Sequence, residues 1–138
     1  MRSLCLAMAA LLTLGSTSAA RASPLLECAV MSAEAEAEAL NACLGAQLEV
    51  SHGAMEEALA LARGRAEELN RIAGGDAAVL GVEASQQAFE AYRDTACQTE
   101  AVFADGGAPA ADTELACEIT LTRARTDALL RLSGSRFD

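Results

Sequence analysis

The chain reads QQAFEAYRDTAC at residues 86–97 and, after Gly106-Gly107, CEITLTRARTDAL at residues 117–129, and this stretch decides the fold. Alanine, leucine, glutamate and arginine, which favour helix strongly, dominate on both sides of the glycines. The run Gly106-Gly107-Ala108-Pro109 forces a turn between the two segments. We therefore predict helices over about residues 77–104 and 113–132 that pack as an antiparallel hairpin.

The first 22 residues are typical of an export signal. Arg2 precedes an apolar or small run from Leu4 to Leu14, and Ala20-Arg21-Ala22 fits a small-x-small cleavage site. The apolar run is shorter than the roughly 20 residues that a membrane-spanning helix needs, which disfavours the alternative of a membrane anchor. We expect residues 1–22 to be a signal peptide and residues 23–138 to be one periplasmic or secreted domain.

Cleavage would remove Cys5 and leave four cysteines, at positions 28, 43, 97 and 117. An even number of cysteines in a small exported chain predicts two disulfide bonds, and three pairings are formally open. In the predicted hairpin, Cys97 and Cys117 lie about 10 and 6 Å from the turn, which favours their pairing. Cys28 and Cys43 would then pair. Within one helix they would stand about 22 Å apart, so Cys28 is expected in a non-helical lead segment.

The charge of the chain is strongly negative. Its ten arginines oppose twenty acidic residues, and removal of Arg2 and Arg21 would leave eight against twenty, a formal charge of −12. Phosphate binding needs the opposite sign, so nucleic acid is a poor partner. An acidic surface attracts a basic protein over long range, although acidity is also a common device for solubility.

The first half of the domain also reads as helix. Alanine and glutamate alternate over residues 33–39, but both are poor strand residues, so we predict helix over about residues 33–51 and again over 54–72. His52-Gly53 allows two alternatives, two helices or one long one. Gly74-Gly75 ends the segment, and Asp76 is expected to cap the next helix. The predicted fold class is all-α, a small disulfide-stapled bundle of three to four helices.

The order of motifs in the second half resembles the LprI-like lysozyme-inhibitor family of bacterial envelope proteins. The matching elements are a glutamine before an aromatic residue, an aromatic-Arg-Asp cluster, two cysteines around a glycine turn, and a Thr-x-x-Arg helix. Here they are Gln86, Phe89, Tyr92, Arg93, Asp94, Cys97, Gly106-Gly107, Cys117, Thr122 and Arg125. Asn41-Ala42-Cys43 looks like the cysteine of the family's first helix. One departure is Phe89, which stands where the family usually has tryptophan.

The resemblance implies a helical binding protein whose partner is a protein, such as a basic lysozyme, and it implies no cofactor. The alternative is a structural or adaptor module of the envelope without inhibitory activity. Arg93 and Arg125 are expected to bridge neighbouring helices through a carboxylate such as Asp94 or Asp127. Phe89 and Tyr92 are expected in the core. The residues that face the partner cannot be placed from the sequence.

An enzyme is disfavoured by the residue inventory. His52 is the only histidine, and no Ser-His-Asp or Cys-His arrangement is visible. Glu49 and His52 match the Glu-x-x-His step of helical di-iron sites, but those sites need a second histidine. No pair of cysteines has the short C-x-x-C spacing of a zinc site. We therefore predict no catalytic residue and no metal, and a solvent-facing His52.

Overall fold

The structure is a computed structural model that describes residues 23–31, 37–104 and 108–134. Four helices occupy these ranges: α1 (Pro24–Met31), α2 (Ala37–Ala73), α3 (Ala77–Phe103) and α4 (Ala108–Ser133). No strand occurs in the described ranges, and the predicted all-α bundle is confirmed. The expected signal peptide at 1–22, the expected helix start at 33 and the turn at Gly106-Gly107 lie outside the described residues.

One continuous helix, α2, runs through His52-Gly53, which decides between the two alternatives left open by the sequence. Its 37 residues span about 55 Å at 1.5 Å per residue. A glycine inside a helix costs only about 1 kcal/mol relative to alanine. Buried residues continue on either side of it, with Ser51 before Gly53 and Met55 and Ala58 after it. Packing of both halves therefore outweighs the weak helix propensity at Gly53.

Two glycines with positive φ form the turn between α2 and α3. Gly74 has a φ of 76° and Gly75 a φ of 106°, a region of backbone conformation that favours glycine. Asp76 occupies the N-cap position, but its side chain makes no capping hydrogen bond. Instead the Ala78 N–H donates to Oδ1 of Asn70, at 2.9 Å. The prediction that the Asp76 side chain caps α3 was therefore wrong. The side-chain oxygen of Asn70, near the end of α2, accepts the hydrogen bond from an N–H group in the first turn of α3.

The helix α3 runs antiparallel to both α2 and α4. Against α2, Arg63 pairs with Glu83, and His52 contacts Arg93. Against α4, Arg125 bonds to Ser85 and Cys117 is bridged to Cys97. The predicted hairpin of the last two helices is confirmed. The helix α4 begins at Ala108, earlier than the predicted residue 113, because a proline is compatible with the first turn of a helix, where its missing N–H is not needed.

Both disulfide bonds join neighbouring helices. Cys97 and Cys117 link α3 to α4 with a Cα–Cα distance of 5.4 Å, and Cys28 and Cys43 link α1 to α2 at 5.8 Å. The non-helical environment expected for Cys28 was wrong, because Cys28 lies in α1. The distance argument applies within a single helix. Since α1 and α2 are separate helices lying side by side, two helical cysteines can meet.

The core consists of two apolar clusters along α2. The first joins α2, α3 and α4; its buried members are Met55, Ala58, Leu59, Ala62, Ala66, Val82 and Leu129. The second joins α1, α2 and α4; its buried members are Cys28, Leu44, Ala116 and Ile119. Phe89 packs against the edge of the first cluster, as predicted. Small side chains let the helices approach closely, but each buries little apolar area, so the disulfide bonds contribute a large share of the stability.

Candidate functional site

Four of the residues that carry the family resemblance come together where α3 faces α2 and α4. Gln86, Phe89 and Arg93 follow one another at three- and four-residue steps, which places them on one side of α3. Gln86 is only 4% exposed, and Phe89 and Arg93 are half-buried. Arg125 reaches the same place from α4. The sequence motif therefore marks an interhelical contact inside the bundle.

Arg125 bridges α4 to α3 through neutral partners. Its Nε donates to Oε1 of Gln86 at 3.0 Å, and its Nη2 donates to Oγ of Ser85 at 2.9 Å. The guanidinium carbon lies 5.6 Å from the centre of the Phe89 ring, within range of a cation–π contact. Burial lowers the pKa of Arg125, and the negative charge of Glu90 acts in the opposite direction. Arg125 bridges two helices, as expected, but the acceptors of its hydrogen bonds are an amide oxygen and a hydroxyl oxygen and not a carboxylate.

The amide of Gln86 connects three helices. Its Oε1 accepts from Arg125, and its Nε2 donates to Oε1 of Glu90 at 2.9 Å. The same Nε2 lies 3.7 Å from Sδ of Met55 in α2. A buried amide costs several kcal/mol if it is left without partners, so this set of contacts fixes how α2, α3 and α4 meet.

Arg93 bridges α3 to α2 at His52. Its Nε and Nη2 donate to Oδ1 of its neighbour Asp94, at 3.0 and 2.9 Å. Its Nη1 lies 3.2 Å from Nε2 of His52, which accepts this bond when the ring proton is on Nδ1. The expectation that His52 faces solvent freely was wrong, because the side chain is half-buried and in contact with Arg93.

The other motif residues have different environments. Tyr92 is 60% exposed, so its expected place in the core was wrong; it stands one residue before Arg93, on a different side of α3. Thr122 is fully buried in α4, and its Oγ1 has no hydrogen-bond partner within the described residues. The motif thus combines core, interhelical and surface residues, which sequence alone could not separate.

A second polar bridge, centred on Arg123, holds α1 to the bundle and was missed by the sequence reasoning. Its guanidinium donates to both carboxylate oxygens of Glu27 in α1, at 3.1–3.2 Å, and to Oε1 of Gln47 in α2, at 2.8 Å. An open groove of about 390 Å³ lies beside this bridge. The Thr-x-x-Arg motif, as matched at Thr122, identifies Arg125 but not Arg123, and the two arginines contact different helices only in the folded bundle.

The surface of α2 carries a row of acidic residues, which we call the acidic stripe: Glu49, Glu56 and Glu67. Spacings of seven and eleven residues are close to whole numbers of helical turns, so the three lie along one side of α2. All three are exposed, and none makes an ion pair with another described residue. At the nearby exposed pair, a hydrogen bond from Arg63 lowers the pKa of Glu83. The stripe therefore presents three carboxylates without an ion-pair partner among the described residues, next to the Arg63–Glu83 pair.

The part of the chain that the structure describes contains neither a cluster of metal-binding side chains nor a membrane-spanning helix. No three of its His, Cys, Asp or Glu side chains are grouped so that they could hold a metal ion. No helix within residues 23–31, 37–104 and 108–134 is both long and apolar enough to cross a membrane.

Comparison with known proteins gave one match. The model of the family described as "Lysozyme inhibitor LprI" matches residues 28–129. The matched segment begins at Cys28 and ends at Leu129, so it contains both disulfide bonds and every motif residue named above. No curated protein and no solved structure matches the chain.

Proposed function

The chain belongs to the LprI family of lysozyme inhibitors, and from this premise we propose that it binds a basic, lysozyme-type muramidase and blocks its substrate cleft. The single observation that carries the proposal is the extent of the family match. It covers the disulfide-bonded bundle from α1 to α4, including the Gln86–Arg125 bridge that joins α3 to α4.

The mature protein would act by binding and not by catalysis. Its negative charge favours a basic partner, and lysozymes are typically basic. Opposite net charges speed association and orient the two molecules before contact. Two disulfide bonds and the buried polar bridges hold the helices in fixed positions, which limits the entropy lost on binding.

We assign the contact with lysozyme to the acidic stripe. Its carboxylates have no ion-pair partner among the described residues, whereas those of Glu27, Glu83 and Asp94 are already paired with arginines. From Glu49 to Glu67 the stripe extends about 27 Å along α2. A straight row of charge on a continuous helix fits an elongated cleft better than charges scattered over loops.

Blocking would follow from the shape of the helix. Glycoside hydrolysis requires the sugar chain to lie between two catalytic carboxyl groups in the cleft. A helix with its side chains is about 10–12 Å wide, so α2 lying along the cleft would exclude the polysaccharide. Inhibition therefore needs no chemical step by this protein.

The test is the rate at which a basic lysozyme lyses peptidoglycan in the presence of the purified, oxidised protein. The triple variant E49K/E56K/E67K is expected to weaken inhibition by about tenfold or more, because it reverses the sign of the contact surface. The matched control E57K/D76K/E100K makes the same change in net charge at exposed positions outside the stripe and should weaken inhibition much less.

Two results of this test would count against the proposal. If micromolar excess of the protein does not slow lysis at low or physiological salt, inhibition is wrong and the envelope-adaptor alternative is favoured. If both triple variants weaken inhibition equally, the protein inhibits through its overall charge and the assignment to the stripe is wrong.

We further propose that residues 1–22 are removed on export. The helix α1 begins at Pro24, two residues after the expected cleavage at Ala22, so cleavage would leave every described helix intact. The intact mass of the protein recovered from the periplasm or medium should correspond to residues 23–138 with two disulfide bonds. A mass that includes residues 1–22 would contradict this proposal.

A further inference from the structure

An apolar groove lies where α4 stops short of the α2–α3 turn, and we call it the end groove. Leu132, in the last turn of α4, lines it together with Ala62 of α2 and Val82 of α3. From Ala62 the helix α2 continues to Ala73, about 17 Å further along its axis. The hairpin of α2 and α3 therefore has an inner face that α4 does not cover in this part of the bundle.

The end groove has the size and the apolar lining of a small-molecule site. Its volume is about 380 Å³, within the range of roughly 300–1,000 Å³ that is usual for such sites. Leu69 and Leu132 line it and remain 42% and 56% exposed, so apolar surface is left in contact with water. Five further lining residues have no side chain beyond Cβ: Ala62, Ala66, Ala77, Ala78 and Gly81. These small residues leave room for an unbranched apolar chain.

The charge of the end groove is opposite to that of the whole chain. None of the described residues that line it is acidic, although the chain has twenty acidic residues. Arg65 lines the groove, is exposed, and has no ion-pair partner among the described residues. A guanidinium can donate two parallel hydrogen bonds to one carboxylate. The groove therefore fits a carboxylate that is carried on an apolar chain.

The length of the groove limits the length of that chain. The lining residues of α2 run from Ala62 to Leu69, about 10 Å along the helix axis. An extended peptide backbone advances about 1.2 Å per bond, and an extended alkyl chain is similar. Roughly eight carbon atoms therefore cover this distance.

We propose that the end groove binds a medium-chain fatty acid, with the alkyl chain against Leu69 and Leu132 and the carboxylate on the guanidinium of Arg65. Burial of the alkyl chain drives binding, and the pairing with Arg65 selects an anionic head group. This activity is separate from the proposed contact with lysozyme, because no residue of the acidic stripe lines the end groove.

The test is a titration of the oxidised protein with monomeric octanoate, followed by heteronuclear NMR and calorimetry. Saturable shifts are expected for the amide groups of residues 62–69 and 77–85, with a dissociation constant of roughly 0.1–1 mM. Hexanoate is shorter by two CH₂ groups and should bind about 15-fold more weakly, since each buried CH₂ contributes about fourfold. Octanamide has the same chain without the charge and should bind about fivefold more weakly, the upper end for an exposed ion pair.

Two glycine variants locate the bound chain. Gly81→Leu should weaken octanoate binding by about tenfold or more, because the new side chain occupies the groove and displaces several buried CH₂ groups of the ligand. A Cβ at Gly81 would meet no atom within 4 Å, so the helix can accept the change. Gly64→Leu is the matched control, because Gly64 also lies inside a helix with open space at its Cβ but does not line the groove. Its affinity for octanoate should equal that of the unmodified protein.

Three results would overturn the proposal: no saturable shift at millimolar octanoate, equal affinities for hexanoate and octanoate, or equal affinities of the two leucine variants. Circular dichroism verifies that both variants are folded. Shifts in residues 62–69 and 77–85 that appear only with phosphatidylglycerol vesicles would also overturn it, since the groove would then contact a membrane surface. Arg65→Gln should bind octanoate no more tightly than the unmodified protein binds octanamide, and an unchanged affinity would remove Arg65 from the site.

Discussion

At the scale of single residues, the most informative group is the buried amide of Gln86 with the guanidinium of Arg125. Gln86 Oε1 accepts from Arg125, and Ser85 accepts from the same side chain, so one arginine joins α4 to two adjacent residues of α3. The planar guanidinium donates two hydrogen bonds to two different acceptors at once. The single ammonium group of lysine cannot reproduce this arrangement.

Arg125→Lys is therefore expected to lower the free energy of unfolding by about 1–2 kcal/mol, although the charge is retained. Chemical denaturation followed by circular dichroism measures the change. Arg131→Lys, at an exposed position in the last turn of α4, is the control and should change stability by less than about 0.5 kcal/mol. Equal effects of the two variants would show that the bridge contributes no stability.

Thr122 provides a second prediction at this scale. Its side chain is fully buried, and its hydroxyl has no partner among the described residues, which costs roughly 1–3 kcal/mol. Thr122→Val keeps the branched shape and removes the hydroxyl, so the free energy of unfolding should rise by about 1 kcal/mol. The control is Thr126→Val, because the Thr126 hydroxyl donates to the Thr122 carbonyl oxygen and should give no such gain. A loss of stability in Thr122→Val would contradict this reading of the site.

The sequence identified several of the residues that join the helices, and it indicated the role of only some of them. Gln86, Arg93 and Arg125 were found through their order in the chain, and a bridging role was predicted for the two arginines from their guanidinium groups. The bridging role of Gln86 was not predicted. Tyr92 was placed wrongly, because a step of one residue rotates a helix by about 100° and moves a side chain to another face. Arg123 was missed because its partners, Glu27 and Gln47, lie 96 and 76 positions away in the chain.

At the scale of helices, the main feature of the bundle is that α2 is one continuous helix. Local propensity alone left its middle undecided, since glycine is only mildly unfavourable in a helix. The helix continues through Gly53 because buried residues on both sides of it lie on one face of α2 and pack into the core. Contacts of this kind are not visible in the sequence until the partner helix has been placed.

Gly53→Ala is expected to raise the free energy of unfolding by about 0.5–1 kcal/mol, because it improves helix propensity in the interior of α2. A Cβ added at this position would meet no atom within 4 Å, so no clash opposes the gain. Thermal unfolding measures the shift.

The contrasting variant is Gly74→Ala in the α2–α3 turn. A Cβ has space there too, but the φ of 76° strains an alanine and should cost about 1–2 kcal/mol. The two substitutions should therefore act in opposite directions. A destabilising Gly53→Ala would indicate that α2 bends or breaks at His52-Gly53 in solution.

The helix ends were harder to predict than the helices. The start of α4 was placed too late because Pro109 was treated as part of the turn, although proline is favourable in a first helical turn. Asp76 was predicted to cap α3 because of its position in the sequence. The side chain of Asn70, in the preceding helix, accepts the hydrogen bond from the Ala78 N–H group. Cys28 was predicted to be non-helical because Cys28 and Cys43 would be too far apart for a disulfide bond within one helix. This limit does not apply when the two cysteines lie in different helices.

At the scale of the whole molecule, the two disulfide bonds stabilise different parts of the bundle. Each closes a loop of 15 to 20 residues, for which the chain-entropy model gives about 3 kcal/mol. The eight residues of α1 are too few to form an isolated helix in water, so α1 depends on Cys28–Cys43 and on the Glu27–Arg123 pair.

The double variant C28S/C43S should therefore lose amide protection in α1 while α2, α3 and α4 stay protected. The variant C97S/C117S should lower the melting temperature of the bundle as a whole, because it opens the hairpin of α3 and α4. Hydrogen exchange with mass spectrometry distinguishes the two responses. Identical exchange patterns in both variants, or unchanged melting in both, would contradict this division.

A protein with a modest core can still present a fixed surface to a partner. Disulfide bonds and buried polar bridges fix the helices, and the acidic stripe, which has no ion-pair partner among the described residues, adds negative charge to the surface. Family membership explains the bundle and its motif, while the proposed contact with lysozyme would depend on surface charges that the motif does not include.

The most direct test of the proposed inhibition is the initial rate of a basic lysozyme on a short, soluble chitooligosaccharide, measured while the oxidised protein is titrated in. A small substrate bypasses any effect on the cell wall and reports on the cleft alone. Saturable inhibition that weakens as salt rises is the expected result. An unchanged rate at micromolar excess and low salt would contradict the account.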